Sequence, residues 1–113
     1  MEVQVRNKHL PIAPQKLRLV CDQVRGMGAD QALTVLRFMP QKGAEFVQKT
    51  VASAVANATN NFDMNRGSLY VATIYADEGP SLKRMKAGAR GRYKPRIKRT
   101  SHLTVVLAER EES

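Results

Sequence analysis

The sequence predicts an α+β fold: a three-stranded antiparallel sheet packed against three helices, with a long protruding β-hairpin arm. Three observations predict it. The chain opens on a short alternating apolar segment, three stretches with helical apolar spacing follow, and two runs of β-formers then flank a basic stretch at residues 79–99.

Val3 and Val5 alternate with Gln4 and Arg6, which marks a strand ending in the polar run Asn7, Lys8, His9. Pro14 suits a first helical position, and Leu17, Val20, Cys21 and Val24 recur at helical spacing until Gly26 offers a stop. On the opposite side Arg18, Asp22 and Arg25 are spaced to pair along the helix surface. A second helix is expected to start near Asp30, a candidate cap, to turn Ala32, Leu33 and Leu36 inward and to close before Pro40, with Phe38 and Met39 packing at the corner. The third and longest helix carries Ala44, Val47, Val51, Ala54, Val55 and Ala58 on one stripe until Asn60, Asn61 and Asp63 break it. Small residues on that stripe permit close approach, so this helix should lie across a sheet.

Over residues 68–78, Leu69, Val71, Thr73 and Tyr75 alternate with Tyr70, Ala72, Ile74 and Ala76, and over 101–108 Leu103, Val105 and Leu107 alternate with Thr104 and Val106. Together with the N-terminal strand they make the antiparallel sheet. A chain of 113 residues predicts a single domain: a globular body over 1–78 and 100–110, the hairpin over 79–99, and a frayed tail over 111–113.

Charge is distributed unevenly. Residues 79–99 hold nine Lys and Arg and no acid, while the rest of the chain has ten Lys and Arg against ten Asp and Glu, so the whole net charge of +9 sits in the arm. Hairpin loops usually need about two to five residues, so a connection this long is either functional or disordered, and its charge makes it the place to look for function. Leu82, Met85, Tyr93 and Ile97 are its only sizeable apolar residues, too few to stabilise a ribbon alone. The arm is therefore expected to be mobile when free and to order on a polyanion that neutralises it.

Other functions find little support. The single Cys21 excludes an internal disulfide and reads as core filler, there is no metal-ligand cluster, and no cofactor motif is complete. Asp77 and Glu78 are adjacent, so on a strand they point to opposite faces and make no carboxylate pair. His102 opens a strand beside Thr100 and Ser101, where local hydrogen bonding or an RNA contact is a better reading than catalysis. Neither an apolar span nor a targeting segment is present, and the chain is not read as an enzyme. Near the N-terminus Arg6, Lys8, Lys16, Arg18 and Arg25 outnumber Glu2 and Asp22, which fits either a second polyanion contact or ordinary solvated faces. An architectural DNA-binding protein with a basic β-ribbon arm is the alternative, although such proteins normally dimerise through an apolar interface.

Three runs carry a more specific signal: Asp77-Glu78-Gly79-Pro80-Ser81-Leu82-Lys83-Arg84, Gly88-Ala89-Arg90-Gly91-Arg92, and Lys98-Arg99-Thr100-Ser101-His102-Leu103-Thr104-Val105-Val106. They resemble the bacterial-type family of ribosomal protein twenty-two of the large subunit, and the resemblance extends over essentially the whole chain. It implies a monomer within the cytoplasmic ribosome, bacterial or organellar, with no membrane contact. Its implied partners are large-subunit ribosomal RNA, neighbouring ribosomal proteins and the nascent peptide in the exit tunnel, and it implies a role in subunit assembly. Carried over by position, Lys83, Arg84, Lys86, Arg90, Arg92, Lys94, Arg96, Lys98 and Arg99 would contact RNA, and His102, Lys8, Lys16 and Arg18 join them from the body. The tip, Ala87, Gly88, Ala89, Arg90 and Gly91, would face the tunnel. Ala87 and Gly88 depart from the proline and arginine expected there, and Pro95 stands on the returning leg, where it removes a ribbon donor.

Overall fold

The computed structural model describes residues 2–80, 82–87 and 93–110, and over 82–87 and 93–98 it describes the backbone alone. The elements run β1 (Glu2–Leu10), α1 (Pro14–Val24), α2 (Ala29–Arg37), α3 (Lys42–Asn61), a 3-10 turn (Arg66–Ser68), β2 (Leu69–Glu78), β3 (Leu82–Ala87), β4 (Tyr93–Lys98) and β5 (Ser101–Glu109). β1, β5 and β2 form one antiparallel sheet in that order, and β3 and β4 form a second, two-stranded sheet. The expected three helices and three-stranded sheet are thus present. The predicted tail, 111–113, lies outside the described residues.

β5 is the central strand, paired on both edges, and its apolar residues Leu103, Val105 and Leu107 face the helices while His102 and Val106 on the other face are only partly buried. Leu103, Thr104, Val105 and Leu107 have no solvent exposure. α3 packs across β1 and β5 through its stripe of small residues, and all six of the stripe positions read from the sequence are buried. α1 packs against β2 and stops at Gly26, whose φ of 84° is the left-handed conformation a side chain resists. The Gly26 amide then donates to the Val71 carbonyl, which hands the chain onto the outer edge of β2.

α1 also closes that edge. Arg18 Nε donates to the Ala76 carbonyl at 3.1 Å and Arg25 Nη2 to the Ile74 carbonyl at 2.9 Å, so two arginines satisfy acceptors that would otherwise invite another strand. The expected surface row is therefore only half formed: Arg25 pairs with Asp22 at 2.7 Å, and Arg18 is drawn away to the sheet. Cys21 is fully buried, and burial pushes its thiol up to about 11, so it stays protonated and unreactive around neutrality.

Four sequence expectations are corrected. α2 is capped by Gly28 and not by Asp30, because Gly28 bridges to Tyr70 and so fixes where the helix begins. Asp30 sits in the first turn, where its charge suits the helix dipole, and accepts from Arg66 Nε at 2.9 Å. Met39 packs at the following corner, but Phe38 is 78% exposed. In β2 the register steps between Val71 and Thr73, so Ala72 is an extra residue and the alternation reverses there: Leu69, Val71, Ile74 and Ala76 are buried, while Thr73 and Tyr75 are exposed. Finally, β1 continues past the polar run to the buried Leu10, with His9 at φ 60° where the pairing is irregular.

Candidate nucleic-acid interface

The arm grows directly out of the sheet. β2 and β5 pair down to Glu78 and Ser101, the Gly79 amide then donates to the Thr100 carbonyl at 2.9 Å, and Thr100 Oγ1 donates to the Pro80 carbonyl at 2.8 Å. Pro80 has no N–H, so the ladder breaks there and resumes as β3 and β4. Between the Glu78–Ser101 pair and the Leu82–Lys98 pair, four residue steps on the outgoing leg face three on the returning one. The legs are six residues each, shorter than the ten a continuous ribbon would give. Even so, a radius of gyration of 17.2 Å and extents of 68 × 25 × 18 Å mark an elongated molecule, since a compact chain of about 100 residues has a radius of about 13 Å.

Gly79 is required by this root. A Cβ there would lie 2.5 Å from Thr100 Oγ1 and 3.2 Å from the Thr100 backbone, so the two legs would have to separate. Gly79→Ala is expected to destabilise the protein by about 1–3 kcal/mol, the usual cost of overpacking, and to break the Gly79–Thr100 hydrogen bond. Thermal melting and exchange of the Gly79-position amide would check it; an unchanged melting point with a protected amide would contradict it.

Along the ribbon the register sets like charges opposite one another, Arg84 to Arg96 and Lys86 to Lys94. With a two-residue period these four positions share a face with Leu82 and Lys98, while Lys83, Met85, Ala87, Tyr93, Pro95 and Ile97 occupy the alternate positions. Directly opposed like charges destabilise a strand pair, so the ribbon needs an external anion more than its net charge alone suggests. Pro95 sits opposite Met85, and a two-stranded ribbon has only edge strands, so each strand has a side on which no amide is needed. Of the predicted tip, Ala87 ends β3, while Gly88, Ala89, Arg90 and Gly91, and the predicted RNA contact Arg92, lie outside the described residues.

On the body, Lys8 of β1 and Lys16 of α1 are exposed. Arg18 and Arg99 meet in a cleft of about 160 Å³ lined also by Ala13, Pro14, Gln15 and Glu78, which joins one cation of α1 to one of the arm. His102 Nδ1 accepts from the His9 amide at 3.1 Å, and the two rings meet edge to face with centroids 4.9 Å apart. Arg6 reaches Thr104 Oγ1 at 3.2 Å and Asp77 at 3.5 Å. His9 carries no signal in the sequence beyond its type, because its part depends on a left-handed φ that only the fold reveals. Among the described residues no group of His, Cys, Asp and Glu is placed to hold a metal ion, and no helix is long and apolar enough to cross a membrane.

The profile of the family described as Ribosomal protein L22p/L17e matches residues 5–108. The chain belongs to the ribosomal protein L22p/L17e family. Among similar proteins, the large ribosomal subunit protein uL22 of Desulfotalea psychrophila is 56% identical over 96% of this chain and 99% of its own length. The proteins of the same name from Chloroflexus aggregans and Carboxydothermus hydrogenoformans are 52% and 46% identical, each over 99% of both chains. The L22p/L17e match covers the body and both legs of the arm together, so the basic stretch is an integral part of the family's chain. Membership in a family of ribosomal proteins means that this chain is not an enzyme, and it sets the DNA-binding alternative aside.

Proposed function

We propose that the chain is a structural constituent of the large ribosomal subunit in the cytoplasm, that it binds large-subunit ribosomal RNA, and that its basic hairpin lines the nascent-peptide exit tunnel and aids subunit assembly. The observation that carries this reading is the confinement of the whole net charge to residues 79–99, on a ribbon whose register opposes cation to cation. Such a ribbon is stabilised by phosphates on its flanks, and RNA helices brought together around it would otherwise repel each other. The relatives' names support the subunit assignment.

In this reading Lys83, Arg84, Lys86, Arg90, Arg92, Lys94, Arg96, Lys98 and Arg99 neutralise phosphates along the arm, Ala87 to Gly91 face the tunnel and the passing peptide, and Lys8, Lys16, Arg18 and His102 contact RNA from the body. Arg18 keeps Nη1 and Nη2 for this purpose, since only Nε is used by the sheet. Crosslinking of residues 82–99 in intact large subunits, followed by mapping of the joined nucleotides, tests it. Crosslinks to RNA around the exit tunnel are expected; an arm that joins only to protein would refute the RNA role.

A further inference from the structure

We infer that the uncovered face of the three-stranded sheet, where it meets the root of the arm, binds unpaired bases of RNA. This deepens the RNA-binding reading and rests on it. The helices pack on the face that carries Leu103, Val105 and Leu107. On the other face the register aligns Arg6, Thr104 and Tyr75 in one row across β1, β5 and β2, with His102 and Asp77 in the next. These rows end at the Glu78–Ser101 pair from which the arm departs, so a strand of RNA leaving the arm meets them first.

Each group supplies something a base can use. Tyr75 is 39% exposed on an edge strand, an aromatic surface of the kind on which sheet-binding proteins stack bases. Arg6 is held across the sheet by Thr104 Oγ1 and Asp77, so its planar guanidinium is positioned before anything binds. His102 accepts the His9 amide on Nδ1, so the proton of its neutral ring lies on Nε2 and faces away from that bond as a donor. Desolvation first, then the fields of His9, Arg6 and Lys8, lower the His102 pKa against the opposing pull of Asp77, which favours the neutral ring. The geometry is held at some cost, since His9 adopts φ 60°, an uncommon conformation for a residue with a side chain.

Asp77 decides between base and phosphate. A carboxylate beside Arg6 repels a phosphate, whereas a base offers both acceptors for Arg6 and His102 and donors for Asp77, with a ring for Tyr75.

The test uses the full chain with Tyr75→Trp, which introduces its only tryptophan. The probes are an RNA duplex bearing a single-stranded oligouridine tail and the same duplex with blunt ends, with binding of each followed independently by mobility shift. Quenching of the tryptophan by the tailed probe and not by the blunt one is expected. Tyr75→Ala should weaken binding of the tailed probe by about fivefold or more and leave the blunt probe unaffected, and Tyr75→Phe should restore it. Tailed RNA bound with unchanged emission, or a tailed-probe affinity that Tyr75→Ala leaves unchanged, overturns the base site alone. Failure of both RNAs to shift overturns the RNA-binding reading and the base site with it.

Discussion

Replacing Arg84, Lys86, Lys94, Arg96 and Lys98 with glutamine should flatten the salt dependence of RNA binding by about four in the slope of log K against log salt, at about 0.7–0.9 per phosphate contact. The five positions share one face of the ribbon in the observed register. The arm's nine contacts would contribute a loss of roughly 10⁴ in affinity for a fourfold rise in salt, and the four arm cations that remain a loss of roughly 10². Titrations at two salt concentrations with a fixed RNA measure both slopes. The same substitutions remove the opposed pairs Arg84–Arg96 and Lys86–Lys94, so the free ribbon should become more stable as its affinity falls. Amide exchange across β3 and β4 would then slow. An unchanged salt slope would mean that these positions do not meet phosphates, whatever their composition suggests.

The cations of the arm are legible in the sequence because charge is a local property, but their pairing is not. Which cation faces which depends on the unequal leg lengths around Pro80, and a single residue more or less there would shift every partner. The body shows the same division. Pro14 and Gly26 bound α1 where the chain itself demands it, and the α3 stripe declares its period over several turns. Ala72 fits either face of a strand, so nothing in its chemistry announces the bulge that reverses β2 after Val71. Asp30 is a better capping residue than Gly28 in isolation, yet the bridge from Gly28 to Tyr70 settles where α2 begins. His9 belongs to a polar run that reads as a strand end. The strand continues because Leu10 returns to the core and Ser101 Oγ donates to the Ile12 carbonyl at 2.6 Å, a contact between residues far apart in the chain.

The largest effect on the body is expected from Leu103→Ala. Leu103 has no exposure, lies in the central strand β5 and faces Asn7 of β1 and Ala76 of β2 in register, so truncation opens a cavity that neither neighbouring strand can fill. Such a change costs about 2–5 kcal/mol, a large share of the roughly 5–15 kcal/mol that holds a domain together. Leu19→Ala is the control, because Leu19 is 65% exposed and its loss should cost about 0.5 kcal/mol or less. β5 is also the continuation of the returning leg of the arm, with Ser101 following Thr100 directly. The Leu103 variant should therefore melt well below the parent, while the fraction that remains folded binds RNA with the parent's salt slope, since no cation has been removed. Denaturant unfolding and salt titration measure the two quantities separately. A melting point close to that of the Leu19 variant would show that β5 is not the seam of the core. A salt slope that falls with stability would show that the ribbon holds its cations in place only while the sheet beneath it is fully packed.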